Sequence, residues 1–140
     1  MAWIKYPYTL FPTRNGSFLS KPLLEIEISA NGITNKQRAI VDSGADMTMM
    51  RADIAEVLDI DKSKCNITKV GGISGPPVDC FVCDVNIKVE HFDEPFTASV
   101  LFVPNLNVNV LLGQDDFFKN FRVKFEKDHN TFEISRAPKK

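Results

Sequence analysis

Short segments in which apolar and polar residues alternate, separated by tight-turn signals, constrain the fold of this chain more than any other feature. In the run from Leu24 to Ser29 every second residue is apolar, which is typical of a strand with one buried face. The dipeptide Asn31-Gly32 that follows is typical of a hairpin turn, and the chain returns through residues 37–41. Further strand-like runs lie at 67–70, 78–89, 96–103, 108–112, 121–125 and 132–134. The sequence therefore predicts a mostly β, barrel-like domain.

Two short helices interrupt these strands. Ile54, Val57 and Leu58 share one face of a predicted helix over 52–58. A second short helix is predicted over 114–120.

The breakers Pro7, Pro12 and Gly16 predict an irregular N-terminal arm over residues 1–21. We expect one domain over 22–136 and a short tail over 137–140. The arm either adds to a subunit interface, covers a cleft or is disordered.

Composition excludes several classes of function. With 140 residues, the chain is long enough to bury a core as a single domain. A net charge of −1 gives no electrostatic reason to expect nucleic acid or an anionic membrane as a partner. No apolar run approaches the ~20 residues that span a bilayer. Residues 1–14 also lack the uninterrupted apolar region of a secretory signal.

Three cysteines are too few and odd in number for a full disulfide framework. Cys80 and Cys83 have C-x-x-C spacing, but they lie in a strand-like run, where positions three apart face opposite sides. With Cys65 and the distant His91 and His129, no tetrahedral zinc set assembles. We therefore expect no metal and no cofactor, and free thiols that indicate a reducing compartment, by default the cytoplasm. A thiol-based redox or metal function of the C-x-x-C pair is the weakest alternative.

A short acidic segment, Val41-Asp42-Ser43-Gly44-Ala45-Asp46, follows an apolar strand end. Asp-Ser-Gly alone is a common turn. Two further features accompany it: a hairpin with the glycine-rich tip Gly71-Gly72-Ile73-Ser74-Gly75, and the segment Leu111-Leu112-Gly113, which leads into the second helix.

In this combination and order, the chain resembles the retropepsin family of aspartic proteases, which includes retroviral proteases and their cellular and bacterial relatives. The resemblance covers roughly residues 22–134. It implies the closed, barrel-like acid-protease fold, with the glycine-rich tip as the flap that covers a peptide substrate.

The resemblance also implies a set of site residues. The catalytic segment is Asp42, Ser43 and Gly44. Substrate contacts are Ala45, Asp46 and the flap residues Gly71, Gly72, Ile73, Ser74 and Gly75. Structural support comes from Thr48, Leu111, Leu112 and Gly113.

The chemistry of this family needs two carboxylates. One group deprotonates a water while another protonates or polarises the scissile carbonyl, and two adjacent carboxylates share one proton to do both. The chain has one Asp-Ser-Gly, and Asp115 and Asp116 lie on the predicted helix, where they are poor substitutes. We therefore expect a C2 homodimer in which each chain contributes Asp42, acting on peptide or protein substrates.

Two positions depart from the family pattern. Gln114 stands where retroviral members have an arginine that supports the aspartate equivalent to Asp46, so only a neutral hydrogen bond is expected there. Pro76-Pro77 removes two backbone donors beside the flap. These departures motivate an alternative, a non-catalytic binding or dimerisation module with the same fold.

The last predicted hairpin, 121–134, leaves two possibilities open. Related chains often build an intersubunit sheet there, but an ordinary strand pair within one subunit fits the pattern equally well.

Overall fold

Strands dominate this computed structural model, which describes residues 2–13, 15–70 and 76–139. The strands are β1 (Ile4–Pro7), β2 (Thr9–Pro12), β3 (Phe18–Lys21), β4 (Leu23–Ala30), β5 (Ile33–Val41), β6 (Met49–Arg51), β7 (Asn66–Val70), β8 (Val78–Val89), β9 (Phe96–Val103), β10 (Val110–Leu112), β11 (Phe121–Glu126) and β12 (Thr131–Arg136). The helices are α1 (Ala52–Val57) and α2 (Phe117–Asn120), with 3-10 turns at Lys62–Lys64 and Lys127–His129.

Six strands form a closed barrel in the order β4-β5-β10-β6-β9-β8, and pairing between β4 and β8 closes it. Strand β7 pairs only with β8, so it extends the sheet beyond the ring. Alternate residues of β4 are buried, with Leu24, Ile26 and Ile28 at most 2% exposed. The predicted mostly β barrel with two short helices is confirmed. The apolar residues that alternate along β4 are the ones that face the core.

The Asn31-Gly32 turn forms as predicted between β4 and β5. Both residues have positive φ, 53° and 75°, which suits a tight hairpin turn. Ala30 pairs with Ile33 directly beside it, and this fixes the register of the whole hairpin.

A second, three-stranded sheet has the order β1-β12-β11. Strand β12 lies in its middle, so both of its edges are occupied by strands of the same chain. The last hairpin thus pairs within one subunit, and β1 and β11 are the outer strands of this sheet. Whether a second subunit extends the sheet stays a prediction. The Tyr6 hydroxyl in β1 donates to the Glu90 carbonyl (2.9 Å) and joins this sheet to the barrel.

The prediction of an irregular arm over residues 1–21 is wrong. The arm forms β1 and the separate two-stranded hairpin β2–β3. Pro7 and Pro12 lie in β1 and β2, each at the edge of its sheet, where a missing N–H can be tolerated. The division of the chain at residue 22 stays a prediction.

Helix α2 is shorter than predicted. The segment 114–116 forms a turn, in which the Phe117 N–H donates to the Gly113 carbonyl (3.1 Å). The N–H groups of Gln114 and Asp115 donate to the carbonyls of Ala45 and Asp46 (both 2.9 Å), which ties this turn to the loop after Asp42. The helix begins only at Phe117, which is fully buried.

The expectation of three free thiols is also wrong. Cys65 and Cys83 form a disulfide. Among the described residues, Cys80 is the one free cysteine, and it is buried. The register that pairs Asn66 with Val82 places Cys65 opposite Cys83 at the base of the β7–β8 hairpin. The C-x-x-C pair is thus not a redox pair, and free thiols no longer support a reducing compartment.

Reduction of this disulfide is expected to lower the free energy of unfolding. The bond spans 18 residues, and loop-closure entropy predicts a loss of about 3 kcal/mol for a loop of this size. Urea unfolding with and without reductant measures it. Cys80→Ser should keep the sensitivity to reductant and a Cys65→Ser/Cys83→Ser variant should lose it. Equal stability of the wild-type protein in both conditions, with the disulfide confirmed by mass, would contradict the prediction.

Within the ranges that the structure covers, no group of three or more His, Cys, Asp or Glu side chains could hold a metal ion. In the same residues, no helix is both long enough and apolar enough to cross a membrane.

Candidate active site

Asp42 lies immediately after β5, at the point where β10 runs parallel beside that strand. Val41 pairs with Leu112, and the Asp42 N–H donates to the Leu112 carbonyl (3.0 Å). On its other edge, β10 pairs antiparallel with β6. The Asp42 backbone is therefore fixed from the neighbouring strand, although the two segments are far apart in sequence.

The Asp42 carboxylate is oriented by the turn that it begins. Its Oδ1 accepts the Gly44 N–H (2.9 Å), and the Asp42 carbonyl accepts the Ala45 N–H (3.2 Å). Asp42 is half-buried, whereas Ser43 and Gly44 are exposed. A Cβ at position 44 would lie 3.3 Å from Asp42 Oδ1, so glycine leaves room for this close approach.

Gly113 lets the end of β10 pass against the loop after Asp42. A Cβ at this position would lie 2.4 Å from the Met47 carbonyl oxygen and 2.9 Å from the Ala45 carbonyl oxygen. The Gly113 N–H donates to Thr48 Oγ1 (3.2 Å), and Thr48 is fully buried. Leu112 is fully buried and Leu111 half-buried in β10. The structure thus brings the predicted supporting residues together behind the Asp42 loop.

Gln114 tethers the same loop. Its side-chain Nε2 donates to the Ser43 carbonyl (2.8 Å), while its N–H donates to the Ala45 carbonyl (2.9 Å). The expected neutral hydrogen bond exists, but its acceptor is the Ser43 backbone and not the Asp46 carboxylate. Asp46 is exposed, and the 8% exposed Ala45 precedes it.

The predicted flap corresponds to the β7–β8 hairpin. Its tip, Gly71, Gly72, Ile73, Ser74 and Gly75, lies outside the described residues. Val70 and Val78 pair at the tip end of the two strands and are 38% and 42% exposed. Pro76 and Pro77 precede β8 and take no part in its ladder.

Asp116, which follows Gly113 in the chain, makes its hydrogen bond to β9 and not to the Asp42 loop. Its Oδ1 accepts the Ser99 N–H (3.3 Å), and its Oδ2 is buried without a hydrogen-bond partner among the described residues. Burial raises the pKa of Asp116 above its ordinary value, and the charges of Asp115 and Asp84 raise it further, against the Ser99 hydrogen bond. Asp116 therefore hydrogen-bonds to the backbone of β9 and is not a partner for the Asp42 carboxylate within one chain.

Asp116→Asn is expected to change stability with pH. Because the folded-state pKa is raised, the charged carboxylate opposes folding above the unfolded-state pKa of about 3.9, and this effect vanishes below it. Asparagine keeps an acceptor for the Ser99 N–H without the charge. The variant should therefore gain stability relative to wild type between pH 3 and pH 7, measured by urea unfolding at both values. The exposed Asp128→Asn is the control, and an Asp116→Asn difference independent of pH would contradict the prediction.

A cavity of about 580 Å³ lies on the outer side of β4, β5 and β8, lined by Glu25, Lys36, Lys88 and His91 among others. Of the predicted site residues that the structure describes, none lines it. We therefore place no part of the site there.

Comparisons with known proteins agree with this geometry. The family model described as aspartyl protease matches residues 26–115, more than half of the chain. No curated protein sequence matches it significantly. Among solved structures, a retropepsin-like aspartic protease from Rickettsia conorii matches with a TM-score of 0.58 at 16% identity, over 95% of this chain and 89% of that one.

The structural match shows a shared fold, and the family match includes the Asp42 segment, the β7–β8 hairpin and Gly113. The chain therefore belongs to the aspartyl protease family and has a retropepsin-like fold.

Proposed function

We propose that this protein is an aspartic endopeptidase that works as a homodimer, with Asp42 of each subunit contributing one carboxylate to a shared site. One carboxylate takes a proton from a water while the other, protonated, donates to the scissile carbonyl. Gly44 holds the carboxylate through its N–H, and the exposed Ser43 hydroxyl is available to the partner's loop. Ala45, Asp46 and the flap contact the peptide main chain.

One observation carries the proposal: the Asp42 carboxylate is oriented by Gly44 on a loop that β10 and Gln114 hold from behind. Asp42, Ser43 and Gly44 remain at least partly exposed in the single chain. A catalytic group needs this combination of fixed geometry and access. Since a single chain carries one such loop, two subunits are required for the two-carboxylate chemistry.

Extended peptides with apolar residues near the cleaved bond are the substrates that we propose. The β7–β8 hairpin supports this choice, because Val70 and Val78 form an exposed apolar pair beside the tip. Apolar side chains of a peptide gain by burial against such a pair.

The alternative, a non-catalytic binding or dimerisation module, takes its motivation from Gln114 and Pro76-Pro77. The Gln114 amide weakens that motivation, because it holds the Ser43 carbonyl where an arginine ion pair is missing. The alternative predicts two Asp42 carboxylates too far apart to share one water.

Hydrolysis of an unfolded protein by the purified chain at mildly acidic pH tests the proposal. The rate per chain should rise with protein concentration and level off once dimers predominate. A dimer that cleaves nothing over a range of pH would leave the binding module as the better account. A monomer that is fully active would contradict the shared site.

A further inference from the structure

The β2–β3 hairpin is a two-stranded sheet with no strand of the barrel or of the terminal sheet beside it. Its turn is held by hydrogen bonds: Thr13 N–H donates to the Ser17 carbonyl (2.8 Å), and Ser17 Oγ donates to Asn15 Oδ1 (2.9 Å). An isolated hairpin of this length is marginally stable in water and needs a surface to pack against. On one face only Phe11 packs against such a surface among the described residues, and the large apolar side chains of the other face are exposed.

The open face carries Leu10, Pro12 and Phe18, which we call the hairpin face. Residues that pair directly across two antiparallel strands share a face, and Pro12 pairs with Phe18, while Leu10 is two positions from Pro12. Leu10 is 65% exposed and Phe18 62% exposed. Exposed large apolar side chains that adjoin one another mark interaction sites more often than scattered ones do.

The opposite face carries Phe11 and its cross-strand partner Leu19, which is 52% exposed. Phe11 points to that side and lines a cavity of about 270 Å³ together with Leu23, Ile40 and Val110. Ile40 is in β5, two residues before Asp42. Through Phe11 the hairpin is therefore anchored beside the Asp42 loop, while Leu10 and Phe18 of the hairpin face stay exposed.

The hairpin also leaves the barrel at the same end as Asp42. Its last residue, Lys21, is followed by Pro22, whose carbonyl accepts the Val41 N–H (2.9 Å). A second copy that brings its Asp42 to this edge must therefore approach the side of the molecule from which the hairpin projects. Leu10, Pro12 and Phe18 are uncharged, and a net charge of −1 per chain opposes association only weakly.

We propose that the hairpin face is a dimerisation surface whose occupant is a second copy of this chain. The inference rests on the proposed function, because the need for two Asp42 carboxylates is the reason to expect that partner. In a C2 dimer the contact is made twice, so the hairpin of each subunit covers apolar surface on the other. Of the three roles considered for the N-terminal arm, the proposal corresponds to the first, in which the arm adds to a subunit interface.

Sedimentation velocity of the full chain over a range of concentrations tests the inference. A Leu10→Asp/Phe18→Asp variant should dimerise at least about 100-fold more weakly than wild type, because it places charge in a buried apolar contact. Both side chains are exposed in the monomer, so folding should persist, as circular dichroism checks. Val57→Asp, at a residue 54% exposed on α1, is the matched control and should dimerise as wild type does. Phe125→Asp, at a residue 42% exposed on β11, examines the terminal sheet as the rival interface.

Hydrogen exchange of the wild-type protein gives a second, mutation-free measurement. Amides of 9–11 and 18–21 should be better protected at concentrations that favour the dimer. Dimerisation of the hairpin variant as strong as wild type, exchange that does not depend on concentration, or loss of the dimer only in Phe125→Asp would each overturn the inference.

Failure of the inference and failure of the proposed function give different results. A wild-type chain that stays monomeric at all concentrations removes the shared site and the interface together. A wild-type dimer that survives the hairpin substitutions contradicts the interface alone. A monomeric hairpin variant with full peptidase activity would support the interface and contradict the two-carboxylate site.

Discussion

Replacing Asp42 with asparagine is expected to reduce peptide hydrolysis (kcat/KM) by at least about 1000-fold, within the range that general acid–base groups contribute. Asparagine is nearly the same size, and its Oδ1 still accepts the Gly44 N–H that orients the native carboxylate. The fold and the dimer should therefore survive, while the group that deprotonates water is lost. Steady-state kinetics with an unfolded protein or peptide substrate measures the effect.

Asp53→Asn is a matched control for this change. Asp53 is an exposed carboxylate in the first turn of α1, so its replacement removes the same charge from a position outside the catalytic loop. We expect near wild-type hydrolysis from it. Equal rates for Asp42→Asn and wild type, at equal unfolding temperature, would remove Asp42 from the mechanism.

Gly113→Ala is expected to lower the free energy of unfolding by about 3 kcal/mol, at the upper end of ordinary overpacking effects. The added Cβ would lie 2.4 Å from the Met47 carbonyl oxygen and 2.5 Å from its carbonyl carbon. Both are backbone atoms and cannot rotate away, so the loop after Asp42 must move from β10. Urea unfolding measures the stability, and hydrolysis should fall with it because the Asp42 loop loses its support.

Gly32→Ala separates crowding from backbone conformation. Gly32 has φ of 75° with nothing within 4 Å of the added Cβ. Its replacement should cost only about 1 kcal/mol for the left-handed conformation and leave hydrolysis intact. A Gly113→Ala variant as stable as wild type would show that β10 and the Asp42 loop are less tightly opposed than the structure indicates.

The barrel could be predicted because local signals agreed with the global fold. Alternation in β4 and the Asn31-Gly32 turn specify a hairpin that ends at Asp42. The association of Leu111-Leu112-Gly113 with the Asp42 loop was implied only by the resemblance to the retropepsin family. The close approach of Gly113 to Met47 is a tertiary contact, so no local sequence pattern predicts it.

The β2–β3 hairpin could not be predicted from the same signals. Pro12 is typical of a chain break, but on an edge strand such as β2 proline is compatible with the ladder. The exposed Leu10 and Phe18 also obscure the alternation, because an apolar outer face looks like an irregular apolar segment. This is the segment that we propose to meet a second copy.

The disulfide had a signal that the C-x-x-C spacing concealed. Cys80 and Cys83 are close in sequence on one strand, but the partner of Cys83 is Cys65 on the neighbouring strand of the hairpin. Once the flap strands are paired so that Val70 faces Val78, the same register sets Cys65 opposite Cys83. Cross-strand position, and not sequence spacing, decides which cysteines meet.

A heterodimer of one wild-type subunit and one Asp42→Asn subunit tests the shared site most directly. The two chains, carrying different affinity tags, are purified as a mixed dimer and assayed against wild-type dimer at equal concentration. The account predicts activity near that of the Asp42→Asn homodimer, because the single site has lost one of its two carboxylates. Half of the wild-type activity would mean that each subunit has its own complete site, and would contradict the central claim.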